Sequence, residues 1–179
     1  MEAIRKSSHK LYFAWNYDKE EAMLNEKSKN GWNLIKGGCF HSVFEKDTTK
    51  RYVYRIDFNM NLLRDEEEKF RYTDMNYELG WELINITFNG WIFLRKEYIA
   101  GETSEIYDIY TDRDSFNGMM DRWIHFSYAI QIFLIISFCF FTYLFFSSQE
   151  SMYLLNLAEF ILLFAFIHYG MKKMKQKRR

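Results

Sequence analysis

Up to about residue 112 the chain alternates short polar and apolar blocks, and beyond that the alternation gives way to long apolar runs. In RYVYRIDF, residues 51–58, Tyr52, Tyr54, Ile56 and Phe58 alternate with Val53, Arg55 and Asp57, which predicts a strand with two distinct faces. KLYFAW at 10–15 predicts another. Each is followed by a polar stretch ending on glycine, DKEEAMLNEKSKNG from Asp18 and DEEEKFRYTDMNYELG from Asp65, and each stretch predicts a helix. Asp18 with Glu21, and Asp65 with Glu68, have the spacing of a capping box, in which the first side chain accepts from backbone N–H groups of the first turn. Gly31 and Gly80 suit the left-handed position that ends a helix. After each glycine comes a predicted hairpin, with Gly37-Gly38 and Asn89-Gly90 as two-residue turns. SEIYDIYTD at 104–112 predicts one further strand.

The two halves of this pattern are copies. Aligned without gaps, NGWNLIKGGCFHSVFEK and LGWELINITFNGWIFLRK pair Gly31 with Gly80, Trp32 with Trp81, Leu34 with Leu83, Ile35 with Ile84 and Phe44 with Phe93. The unit is β-α-β-β, and at about 40 residues it is too small to bury a sufficient core alone. The expectation is therefore a single α+β domain over 1–113, with repeat 1 at about 10–46 and repeat 2 at about 51–96, forming an antiparallel sheet with two helices. The turn glycines do not align without a gap, so the two hairpins should differ in length or register. Trp32 and Trp81 should pack against the helices they follow. Trp32, Trp81 and Trp91 are also the candidates to line an aromatic cleft between the repeats, which would take a hydrophobic small molecule.

WIHFSYAIQIFLIISFCFFTYLFF, residues 123–146, and SMYLLNLAEFILLFAFIHYG, residues 151–170, change the class of the protein. At about 1.5 Å per residue a 20-residue helix spans a hydrocarbon core of roughly 30 Å. Burial of both runs in a soluble core of this size would be unusual, so 123–170 is read as a transmembrane hairpin, with 114–122 as a juxtamembrane linker or helix. The tail 171–179 holds Lys172, Lys173, Lys175, Lys177, Arg178 and Arg179, six of the 24 Lys and Arg, and no acid. The formal net charge of zero thus averages a basic tail with a remainder of 18 bases against 24 acids. By the positive-inside bias the tail, and with two spans the N-terminal domain, face the cytoplasm of a cell-membrane protein. Beside a span the tail is expected to meet anionic lipid headgroups, at about 1 kcal/mol per Lys or Arg. Cys39 and Cys139 are isolated and suggest neither a disulfide frame nor a metal site.

Catalytic chemistry finds little support. The four histidines lie one per region, without metal-ligand spacing, and no phosphate-cradling or nucleophile motif occurs. No metal or cofactor is expected, and the absence of a basic stripe on residues 1–122 argues against nucleic acid. Glu159 breaks a physical rule, because a carboxyl in mid-span costs on the order of 3 kcal/mol unless neutral, paired or facing a polar cavity. Asn156 shares its face, and in an antiparallel hairpin Ser137 is expected opposite. A protonated Glu159 bonded inside the hairpin, or at a homo-oligomer interface, is the expectation.

FAWNYDKEEAMLNEKSKNGWNLIKGG, FEKDTTKRYVYRIDF, ELGWELI and WIFLRKE followed by IYTDRDS resemble a bacterial family of membrane-anchored domains of unknown function, often encoded beside PadR-type transcription regulators. The resemblance covers about residues 10–123 and implies no catalytic residues. It implies a membrane-tethered domain in a regulatory setting. The expected function is accordingly non-enzymatic: a regulatory or sensory module that binds a protein partner, with a transcription regulator as one candidate and direct sensing of a small molecule as the alternative.

Overall fold

A computed structural model describes residues 4–110 and 112–178. The chain divides into two compact units, Met1–Ser115 and Phe116–Arg179. The first contains strands β1 (Arg5–Ser8), β2 (Trp32–Lys36), β3 (Ser42–Lys46), β4 (Tyr52–Phe58), β5 (Glu82–Ile86) and β6 (Trp91–Glu97), with helices α1 (Tyr17–Lys29) and α2 (Glu66–Glu78). The duplication is real in three dimensions. Each repeat folds into its own three-stranded antiparallel sheet, in the orders β1-β3-β2 and β4-β6-β5, and each carries its helix between the first two strands.

Gly31 and Gly80 end the two helices at φ of 73° and 80°, a conformation that costs glycine little and a β-carbon much. At the other ends only one cap forms as expected. Asp65 accepts from the N–H groups of Glu67 and Glu68 at 3.0 and 2.9 Å, but α1 starts one residue before Asp18, with Asn16 at the cap position and no side-chain bond there. Glu21 is therefore not a capping partner; it reaches another strand instead, as described below.

Four further expectations are corrected. The first strand is Arg5–Ser8 rather than 10–15. Leu11, Phe13 and Trp15 do not alternate across a sheet; a single 3-10 turn at Ala14–Asn16 tucks Trp15 under the domain with Phe13 stacked on it at 5.1 Å. Residues 104–112 hold no strand among those described: Ser104–Tyr107 is a 3-10 turn that buries Tyr107. The hairpin loops are longer than two residues, spanning 37–41 and 87–90. In the second, Gly90 at φ 83° follows a turn closed by its N–H on the Thr87 carbonyl at 3.0 Å. Finally, Phe44 and Phe93 are not equivalent. Both hairpins carry a bulge at matching sites, between Leu34 and Lys36 and between Leu83 and Asn85, but Leu34 faces Phe44 whereas Leu83 faces Leu94. The second hairpin is one residue longer, and a one-residue slip moves a side chain to the other face.

Sheet β4-β6-β5 is covered on both faces. On one, Leu62, Trp81, Ile92 and Leu94 form a core that Tyr72 of α2 and Leu83 complete. On the other, Tyr54, Ile56, Phe58, Trp91 and Phe93 are buried, and Phe58 and Tyr17 of α1 lie against the Trp91 ring at 5.1 and 6.2 Å. Gly37 crosses Phe93 so closely that a β-carbon would sit 2.5 Å from the ring.

The repeats are joined along an edge. β4 is the outer strand of its sheet, so the N–H groups of Tyr52, Tyr54, Ile56 and Phe58 point away from β6. α1 runs antiparallel beside it and meets three of them. Ser28 Oγ accepts from Tyr52 N–H at 2.7 Å, Asn25 Oδ1 from Tyr54 N–H at 2.8 Å and Glu21 Oε1 from Ile56 N–H at 2.7 Å. The fourth, from Phe58, goes to the Asp57 carboxylate at 2.6 Å. Seven helical residues rise about 10.5 Å and four strand residues about 13 Å, and the longer reach of Glu21 makes up the difference. β2 is met in the reverse direction: Tyr54 Oη accepts from Leu34 N–H at 2.9 Å, and Asn85 Oδ1 from Gly37 N–H at 2.8 Å.

Ser28 is buried and also donates to Asn33 Oδ1 at 2.7 Å, so Ser28→Ala strands two polar groups at about 1 to 3 kcal/mol each. Urea unfolding should show a loss of about 3 kcal/mol with unchanged slope; a loss below about 0.5 kcal/mol would contradict the edge arrangement. Trp81→Ala should cost about 3 to 5 kcal/mol, and Trp32→Ala, at a half-buried position, clearly less.

Candidate functional site

Where the repeats meet, the two hairpin loops lie side by side. Asn85 bonds the Gly37 backbone twice, accepting its N–H at 2.8 Å and donating to its carbonyl at 2.9 Å. Asn89 Oδ1 accepts from the Cys39 thiol at 3.1 Å and the Thr87 hydroxyl at 2.7 Å. Burial pushes the Cys39 thiol up, away from the range in which it would be a nucleophile. The polar groups of the loops are thus used to hold them together, and their aromatic residues are left outside. Phe40 is 68% exposed and Phe88 75%. Two exposed aromatic residues thus lie on loops that are hydrogen-bonded to each other.

Beside this seam lie Glu20 and Glu21. Burial raises both to about 7; for Glu20 the charge of Glu21 adds to the rise, whereas for Glu21 the Arg55 guanidinium at 4.0 Å and the Ile56 N–H oppose it. Asp57, almost wholly buried, accepts from the hydroxyls of Tyr72, at 2.8 Å, and Tyr110, and from Phe58 N–H, so its carboxylate is engaged in tying α2 and the segment after β6 to β4. Among the described residues no group of three His, Cys, Asp or Glu is placed to hold a metal ion.

The three candidate tryptophans are in three different places. Trp81 belongs to the core under α2. Trp91 is buried against Tyr17 and Phe58. Trp32 lies on the first sheet with the Lys6 and Lys46 ammonium groups 5.9 and 5.2 Å from its ring. A cleft of ≈ 460 Å³ does exist, but it belongs to the second repeat: Tyr52, Tyr77 and Trp81 line it with Lys50, Glu82 and Arg95. Arg95 donates twice to Glu82, at 2.8 and 2.9 Å, and covers the Tyr52 ring at 4.5 Å. Phe40 and Phe88, which the sequence reading passed over, carry a signal of their own: each is an aromatic close to a predicted turn, Gly37-Gly38 or Asn89-Gly90, where no core demands one.

In the second unit, α3 (Arg113–Ser148) and α4 (Met152–Lys175) form a helical hairpin, and both are long and apolar enough to cross a membrane. Residues 114–122 are part of α3. Phe141 packs on Phe160 at 5.4 Å and on Tyr153 at 6.0 Å, so the level of Glu159 on α3 is that of Phe141, one turn beyond Ser137. Asn156 and Ser137 are half-buried, whereas Glu159 is exposed on the outside of the hairpin. The expected bond between Glu159 and Ser137 is therefore not formed. Lys172, Lys173 and Lys175 lie in the last turns of α4. Lys175 donates to Tyr128 Oη at 3.0 Å, Arg178 pairs with Asp121, and Lys177 follows α4; Arg179 lies outside the described residues.

A domain of two β-α-β-β repeats followed by two apolar helices defines the class of protein. Residues 16–134 match the family model described as "Protein of unknown function (DUF2812)", and the chain belongs to that family. No curated protein and no solved structure matches it.

The two raised glutamates give the domain an unusual pH dependence. In the unfolded chain they release protons near 4.5, and in the folded domain near about 7, so between these values the folded state binds more protons. Their contribution is fully present below pH about 4.5 and is lost as pH rises through about 7. Melting should therefore occur at a lower temperature at pH 7.5 than at pH 5.5, and Glu20→Gln should flatten that fall. An equal fall in the variant would contradict the assignment.

Proposed function

We propose that this chain is a membrane-anchored, non-enzymatic regulatory module whose N-terminal domain docks a protein partner through the paired hairpin loops. The observation that carries the reading is the placement of Phe40 and Phe88, 68% and 75% exposed, on loops braced to each other across the repeat seam. Exposed aromatics on a rigid support lose little entropy on binding and are the residue type that dominates interface energies. The apolar hairpin supplies the anchor. In this reading the basic tail from Lys172 contacts anionic lipid, and both it and the domain lie in the cytoplasm. The resemblance noted above makes a PadR-type transcription regulator the first partner to test.

A photo-crosslinking amino acid in place of Phe88, in native membranes, should capture one specific protein. With the probe at Phe88, Phe40→Ala should weaken that capture about tenfold or more, and with the probe moved to Phe40, Phe88→Ala should do the same, each equivalent to about 1.4 kcal/mol. Absence of a captured protein, or capture indifferent to both changes, would defeat the reading. A second reading, small-molecule sensing, is favoured by the aromatic cleft around Tyr52, Tyr77 and Trp81. Saturable quenching of tryptophan fluorescence by hydrophobic cations, abolished by Tyr77→Ala, would select it instead.

A further inference from the structure

The two helices occupy equivalent positions in the repeats and have the same length, residue n of α1 matching n + 49 of α2, yet they are used differently. Each has one stripe turned to its own sheet: Leu24 and Lys27 in α1, and their equivalents Thr73 and Asn76 in α2, are half-buried or buried. The second stripe differs. Glu21, Asn25 and Ser28 of α1 serve the outer edge of β4. Their equivalents in α2 are Phe70, Asp74 and Tyr77, all exposed, with Phe70 and Tyr77 at 70% and 74%.

The strand edges show the complementary asymmetry. β1 occupies in its sheet the place of β4, first in sequence and outermost in order. Lys46 N–H donates to the Ile4 carbonyl, so residues 4, 6 and 8 turn their backbone groups to β3 and Arg5 and Ser7 turn theirs outward. Among the described residues no side chain accepts from those outward N–H groups. The molecule has thus used one helix stripe and one strand edge of a repeating arrangement, and left one of each open.

We propose that a second copy of this chain closes both openings, with α2 of each copy lying along β1 of the other. The contact repeats the one that already joins the repeats within a chain, and made twice, α2 of each copy on β1 of the other, it closes the pair as a two-fold dimer. Asp74 stands where Asn25 stands and can accept from a β1 N–H as Asn25 does from Tyr54. Phe70 and Tyr77 then cover Ile4, which is 65% exposed. Charge selects this pairing over helix against helix. The α2 stripe holds Asp74 and is flanked by Glu66, Glu67 and Glu78, an acidic excess even with Lys69 on Glu66 and Arg71 on Glu67, which two α2 helices would set against each other; the β1 segment carries Lys6 and Lys10 beside the Arg5–Glu45 pair. The surface is separate from Phe40 and Phe88, so the dimer stands or falls independently of partner docking.

The test uses the full-length protein in native membranes, with both native cysteines replaced (Cys39→Ser, Cys139→Ser). Two differently tagged copies are co-expressed, one carrying Ser7→Cys and the other Asp74→Cys. Mild oxidation should give a mixed-tag dimer, while pairing Ser7→Cys with Lys19→Cys, on the exposed side of α1, should give less than a tenth as much. Phe70→Glu with Tyr77→Glu should lower the Ser7→Cys/Asp74→Cys product at least tenfold without changing the melting temperature of the domain. An equal yield from the Lys19→Cys control, no mixed-tag product, or Asp74→Cys joined to a different protein would each overturn the proposal.

Discussion

A strand edge buried inside a domain presents a row of backbone N–H groups that must be met by some acceptor, and at β4 the acceptor row is a helix. Glu21, Asn25 and Ser28 of α1 take the Ile56, Tyr54 and Tyr52 N–H groups of β4 in sequence. Each bond is worth about 1 kcal/mol net, but an edge buried without them would cost about 1 to 3 kcal/mol per group, so the repeats can pack closely only because the acceptors are there. Tyr54 is the hinge of the arrangement. Its backbone is held by Asn25 while its hydroxyl accepts from Leu34 of the first sheet, and burial pushes that hydroxyl up to about 12, which keeps it neutral in the core.

The rest of the domain follows from this seam. Once α1 lies along β4, β2 is drawn across the second sheet, Gly37 must pass over Phe93 with no room for a side chain, and the hairpin loops are brought together. The loops then spend their polar groups on each other and leave Phe40 and Phe88 exposed. The two exposed rings therefore stand at the point where the two repeats are tied, and a change that loosened the seam would move them too.

The duplication, the helices with their terminal glycines, the hairpins and the two apolar spans were legible in the sequence, because each is written in local periodicity or in the conformational needs of glycine. Local pattern misleads where a residue's role is decided by something distant. Glu21 reads as a capping residue from its spacing to Asp18, but its partner is 35 residues away in β4. KLYFAW reads as a strand by composition, yet the edge of the first sheet is taken by the polar segment Arg5–Ser8, whose exposure makes polarity tolerable there. Phe44 and Phe93 look equivalent because a gapless alignment does not register the one residue by which the second hairpin is longer, which falls between the bulge and the returning strand. Trp32, Trp81 and Trp91 share a residue type and nothing else; burial, which composition does not reveal, sends them to three places. Counting from the turn sets Glu159 opposite Ser137, whereas the packing of Phe141 on Phe160 moves that level by one turn.

The central claim is that side chains of α1 stand in for a missing neighbouring strand. Amide hydrogen exchange tests it directly at adjacent residues of β4. Arg55 donates toward β6 in the sheet, whereas Tyr54 donates to Asn25. If the helix completes the edge, the Tyr54 N–H exchanges as slowly as that of Arg55, both opening only with global unfolding, and Asn25→Leu accelerates Tyr54 alone. A Tyr54 N–H that exchanges at the rate of an open edge, with Arg55 fully protected, would contradict the account.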